Sequence, residues 1–199
     1  MKDKKILRMV QLSFFIAVIV VLQIIASVLT RFTPLPFSLS LVFLPIVLGG
    51  AVFGVKEGAI LGSSFGILTF IMCFTGIDPG GYILFANNPF VTFLLCLLKA
   101  ALAGLASALV FKVLSEFSFN DHIKVALASA AAPVINTGIF LIAMFTIYKT
   151  TLYEWAGDTN IMTYAITGLV GINFLFEFIS TVVLCPIIYP YLKKALISE

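Results

Sequence analysis

Charge is what this chain has least of. Of its 199 residues only 11% are charged, one is a histidine, one a tryptophan and three are cysteines. A soluble domain of this length could not cover its apolar side chains with so few ionised groups, which excludes that class. The cysteines, Cys73, Cys96 and Cys185, stand singly in apolar segments without CxxC or Cys/His spacing. Neither a disulfide, a metal site nor a cofactor is therefore expected. His122 has no second histidine, paired carboxylates or serine–base arrangement beside it, so intramembrane hydrolysis has little to work with. A GxxxxGK[ST] phosphate loop is missing, so the chain cannot draw on ATP by itself. Period-two alternation is missing too, which argues against a spanning barrel. No nucleic-acid partner is expected.

What fills the chain is apolar: 61% of residues, with a mean hydropathy of +1.17. A hydrocarbon core of ~30 Å takes roughly 20 helical residues to cross. The apolar runs predict an all-α polytopic membrane protein, a bundle of six transmembrane helices over 6–30, 40–54, 57–75, 89–114, 122–148 and 162–192. The whole of 1–199 reads as one domain. The run from Met9 to Leu29 is too long for a signal-peptide core and reads as the first membrane helix. If the N-terminus is cytoplasmic, Lys2, Lys4, Lys5, Arg8, Lys56, Lys112, Lys124, Lys193 and Lys194 fall inside, and only Arg31 and Lys149 outside. That bias predicts cytoplasmic termini.

Gly50, Gly54, Gly58, Gly62 and Gly66 recur at intervals of four. Small residues at that spacing line nearly one helix face and let two backbones approach, a main source of helix association in lipid. Ala100, Gly104 and Ala108 form a second small-residue ridge, read as internal packing. The second helix is short for a full crossing and holds Pro45. The external links are longer than the cytoplasmic ones and contain Asp78, Asn87, Asn88 and the tryptophan, Trp155. Residues in such links suit ligand contacts, and an aromatic there equally suits anchoring at the headgroups. Asn88 before Pro89 has the form of a helix cap, at an end that can also attract an anion.

Lys99 falls inside the fourth helix, ~15 Å from its outer end at 1.5 Å per residue. A mid-bilayer lysine costs on the order of 3 kcal/mol and ordinarily has a partner or a function. Glu177, in the sixth helix at a similar depth, could pair with it structurally, or the two could meet an acidic, hydroxylated ligand. Asn136 and Asn173 add amides at middle depth. Interhelical hydrogen bonds would explain each alone. The confinement of all four to the last three helices points to a polar pocket.

The layout, together with Leu44-Pro45-Ile46-Val47-Leu48-Gly49-Gly50-Ala51-Val52-Phe53-Gly54 and the glycines at 58, 62 and 66, resembles the substrate-binding S components of energy-coupling factor (ECF) vitamin transporters. The resemblance implies a subunit of a bacterial plasma membrane that captures a water-soluble vitamin from outside. It further implies a shared ECF transmembrane subunit and two cytoplasmic ATPase subunits, with ligand delivered by reorientation in the lipid bilayer. It makes the first external loop, with Pro34, Pro36 and Phe37, a lid, and turns Asn87 and Asn88 to the ligand. Members often dock through alanines four apart in the first helix; Ser13 and Ala17 stand there in this chain. Among members the pantothenate-specific ones are most similar around Pro45–Gly66, and pantothenate's carboxylate suits Lys99. Folate, riboflavin and biotin are alternatives, although the Gly-Glu-x-x-Asn-Phe stretch usual in riboflavin binders is missing. From other classes, a membrane enzyme acting on a lipid and a ligand-free structural subunit also compete. The first should show more acids, bases or metal ligands, and the second gives no reason for the polar clustering.

Overall fold

The computed structural model describes residues 2–32 and 41–197. The expected lid residues Pro34, Pro36 and Phe37 lie outside the described residues. Among the described residues every regular element is helical. In order they are α1 (Lys2–Phe32), α2 (Phe43–Phe53), α3 (Val55–Thr75), α4 (Pro79–Asn87), α5 (Pro89–Ser115), α6 (Asp121–Thr146), α7 (Lys149–Ala156) and α8 (Ile161–Tyr164). A π-helical segment, Ala165–Val170, then leads into α9 (Gly171–Ile197).

Five stretches are long and apolar enough to cross a membrane: α1, α3, α5, α6 and the run from α8 through α9. The second predicted helix is present as α2 but has only 11 residues, and Phe43 through Gly50 are all buried. At 1.5 Å per residue it covers roughly half of a hydrocarbon core. It serves as a core element, wedged against α3, α5 and α9.

The glycine repeat explains how α3 and α5 meet. A Cβ on Gly62 would stand 2.2 Å from the Ala100 carbonyl oxygen, and one on Gly104 would stand 2.2 Å from that of Gly58. Only hydrogen at those positions lets the backbones touch. The ridge of Ala100, Gly104 and Ala108 is the other side of this seam. Gly54, at φ +116°, turns α2 sharply into α3, a conformation side-chain-bearing residues rarely adopt. Phe15 and Ile19 of α1, Phe43, Ile46 and Val47 of α2, and Leu61 and Phe65 of α3 close the central apolar cluster.

One end of the bundle collects the charges predicted to face the cytoplasm. Arg8 bridges Glu57 at 2.7 Å and also donates to the Phe53 carbonyl, tying α1 to the α2–α3 turn. Lys193 donates to Asp121 at 2.9 Å. His122 does more than sit at a helix start: its Nδ1 donates to the Pro186 carbonyl at 2.9 Å. Proline at 190 has no amide hydrogen to offer that carbonyl, so histidine from α6 takes the vacant donor's place.

The opposite end differs from expectation. Segments read as loops hold two further helices, α4 and α7. Asp78 caps α4, its Oδ1 accepting from the Gly81 amide at 3.1 Å, with Pro79 at the first helical position. A short helix inside a link lacks the long apolar run that marks a crossing, so hydropathy alone passes over it.

Candidate binding site

Between α3, α5, α6 and α9, toward the end carrying α4 and α7, lies a cavity of about 300 Å³. Four of the six ligand-facing residues expected from sequence line it: Lys99 of α5, Asn136 of α6, and Asn173 and Glu177 of α9. Asn173 and Glu177 are four apart and so project from one face of their helix. Lys99 extends toward the neighbouring α6, its Nζ 5.3 Å from the centroid of the Phe140 ring. That distance permits a cation–π contact.

Among the described residues the ion pairs are Arg8–Glu57, Asp121–Lys124 and Asp121–Lys193; none joins Lys99 to Glu177. The two line the same cavity without touching. The direct structural pair, one of the two readings of Lys99, is thus not formed. Each charge is left beside polar cavity space, the arrangement expected of intramembrane ionisable groups. Asn136 keeps a further polar atom at the wall: its Oδ1 is buried with no hydrogen-bond partner.

Asn87 and Asn88 stand outside this lining. Asn87 Nδ2 donates to Thr151 Oγ1 at 3.0 Å, linking α4 to α7. Asn88 Oδ1 accepts from the Val91 amide at 3.1 Å, so its side chain is spent on capping α5. Asn88 thus forms the cap that its place before Pro89 implies, and Asn87, turned to the ligand by the resemblance, instead joins two helices.

The lining also includes residues that sequence reasoning did not assign to the site. Thr69 and Cys73 come from α3, and Thr92 and Cys96 from α5. On α5 the set Thr92, Cys96 and Lys99 falls on one helical stripe, a signal available once Lys99 is taken as the anchor. Thr69 and Thr92 give little sign of themselves, because their hydroxyls bond the carbonyls of Phe65 and Asn88 four residues back. Thr92 Oγ1 also lies 2.8 Å from the Tyr148 hydroxyl. Burial pushes that phenol above its ordinary pKa.

Above the cavity are Asp78, Gly80 and Gly81, at the start of α4, and Trp155 of α7. Leu169 and Val170 of the π-helical segment complete the wall. Such segments are frequent at functional sites. The expected docking pair, Ser13 and Ala17, lies elsewhere, on the exposed face of α1 with Val10, Phe14 and Val21.

No family model matches the chain. It is similar, at 26% identity over 203 residues, to the pantothenic acid transporter PanT of Lactococcus lactis subsp. cremoris (strain MG1363). The matched stretch takes in 98% of this chain and 98% of the relative. The likeness is to a transporter, end to end. It supports the resemblance to pantothenate-type S components, and the five stretches long and apolar enough to cross a membrane agree with a multi-pass membrane protein.

Proposed function

We propose that this chain is the substrate-capture subunit of an ECF-type importer and that its ligand is pantothenate. The observation that carries the reading is the cavity lined by Lys99, Asn136, Asn173 and Glu177, in a chain similar throughout its length to a pantothenic acid transporter. At about 300 Å³ the cavity is at the small end of the ~300–1,000 Å³ usual for small-molecule sites, which suits a compact vitamin better than a large one. In this reading Lys99 meets the ligand's carboxylate. Glu177 and the two asparagines take its hydroxyl and amide groups. Arginine or lysine against a carboxylate is a charge-assisted contact, about twice as strong as a neutral one.

The remaining parts of the proposal concern delivery. With cytoplasmic termini, as the distribution of lysine and arginine favours, the cavity lies on the outer side. The exposed small residues Ser13 and Ala17 would let a helix of the ECF transmembrane subunit approach α1, and two cytoplasmic ATPase subunits would drive reorientation. Pro34, Pro36 and Phe37 would belong to a lid.

Titration of the purified chain against pantothenate, with folate, riboflavin and biotin in parallel, tests the reading. Saturable binding of pantothenate alone is the expected result; binding of another vitamin instead would move the ligand assignment, and binding of none would end the capture reading. Lys99→Met should lower pantothenate affinity at least tenfold, that is by about 1.4 kcal/mol. Undiminished affinity with a lowered melting temperature would give Lys99 a purely structural role.

A further inference from the structure

Among the described residues that line the cavity, Lys99 is the one cation, and Asp78 and Glu177 are the acids. The two acids stand at different depths. Lys99, which shares the deep end with Glu177, lies about 15 Å along α5 from Pro89 at 1.5 Å per residue. Asp78 follows the end of α3 and caps α4, which puts it at the shallow end.

Three hydrogen bonds fix Asp78 there. Its amide donates to the Met72 carbonyl at 3.2 Å, its carbonyl accepts from the Tyr82 amide at 2.9 Å, and its Oδ1 accepts from the Gly81 amide at 3.1 Å. The capping bond folds the carboxylate back over the first turn of α4. A Cβ on Gly81 would come within 2.7 Å of Oδ2 and would press on Cys73 Sγ as well. Carboxylate and thiol thus flank one glycine of the cavity wall. Among the described residues Asp78 forms no ion pair, so no lysine or arginine of those neutralises it.

This set of charges constrains any ligand. One anionic group finds Lys99. A second finds no cation: at the deep end it meets Glu177, and at the shallow end it meets Asp78. Like charges brought together in this way exclude wrong partners. A group that donates a hydrogen bond is favoured at the shallow end instead, because a carboxylate oxygen accepts.

We propose that Asp78 is a specificity-determining residue, admitting ligands with one carboxylate and a hydrogen-bond-donating far end and rejecting those with a second anion at that end. The inference rests on the capture reading, with the ligand's carboxylate on Lys99. Pantothenate fits, since its carboxylate and its primary hydroxyl are at opposite ends. The phosphate ester of that hydroxyl does not.

Asparagine and serine cap helices about as well as aspartate, so Asp78→Asn and Asp78→Ser remove the charge and keep the start of α4. The purified whole protein should bind pantothenate, and should bind its phosphate ester at least ~10-fold more weakly. Both variants should narrow that ratio about 3- to 10-fold, as expected for unit charges near a protein surface. Salt should narrow it more in wild type than in the variants, because Asp78 is exposed and its field is screened. A merely structural role would weaken both ligands alike. An unchanged ratio in both variants would therefore overturn the proposal.

A second measurement needs no ligand. Cys73 lines the cavity beside Asp78, whereas Cys185 does not line it and serves as an internal control. Labelling is followed with a cationic and an anionic methanethiosulfonate of similar size. The cationic-to-anionic rate ratio at Cys73 should fall about 3- to 10-fold in either variant and stay fixed at Cys185. A ratio unchanged at Cys73, or falling equally at Cys185, would refute a local field from Asp78. If wild-type protein binds neither pantothenate nor its ester while the labelling ratio moves as stated, the ligand assignment fails and the charge selection stands.

Discussion

At the scale of single residues, cost of burial decides what can be read from the chain. Lys99, Glu177, Asn136 and Asn173 are legible because an ionisable or amide side chain in an apolar run needs a reason to be there. Asn88 before Pro89 forms the cap that its position implies, whereas only the resemblance turns Asn87 and Asn88 to the ligand, and both stand outside the cavity lining. The threonines and cysteines of the cavity wall are silent, being at home in apolar helices whether or not a cavity lies beside them. His122 has the sequence context of a cap-region surface residue, and its bond to the Pro186 carbonyl cannot be foreseen without knowing which helix runs alongside. That bond makes a residue-scale prediction. His122→Ala should cost about 1 kcal/mol of thermal or denaturant stability, the net worth of one hydrogen bond. Pro190→Ala should reduce the penalty, by restoring an amide hydrogen four residues beyond Pro186. An equal penalty in both backgrounds would show that the histidine does not stand in for the missing donor.

At the scale of elements, the spacing of small residues is the most readable signal. Gly58, Gly62 and Gly66 on α3 and Ala100 and Gly104 on α5 are complementary because each helix keeps small residues on one side. A Cβ on Gly62 would fall on Ala100 backbone, which cannot swing aside as a flexible side chain can. Gly62→Ala should therefore destabilise by about 1–3 kcal/mol, as overpacking does. A methyl group added at Gly138, in α6, would meet nothing within 4 Å, so Gly138→Ala should stabilise by about 0.5–1 kcal/mol. Melting temperatures moving in opposite directions would confirm the contrast; equal losses would show that the seam is not what limits substitution. Elements too short for a hydropathy signal are the ones missed. α4 and α7 have only 9 and 8 residues, so neither presents a membrane-length run.

At the scale of the whole molecule, charges and links separate the two ends of the bundle. Arg8, Glu57, Asp121 and Lys193 interact at one end, while Gly80 and Gly81 of α4 and Trp155 of α7 line the cavity toward the other. If the positive-inside bias sets the orientation, an impermeant thiol reagent added to intact cells should label Glu154→Cys and spare Glu116→Cys. The reverse pattern would turn the cavity to the cytoplasm and remove the case for capture from outside. Composition by itself determined that the chain is helical and membrane-embedded, because hydrocarbon leaves backbone polar groups no partners but each other. Periodicity likewise determined that one face of α3 would be packed against a neighbour. Only tertiary structure decided that Lys99 and Glu177 face one cavity without pairing, that α2 is a buried wedge, and that Asn87 joins α4 to α7. Those outcomes depend on distances between segments far apart in the chain, where packing fixes which side chains meet and local pattern is silent.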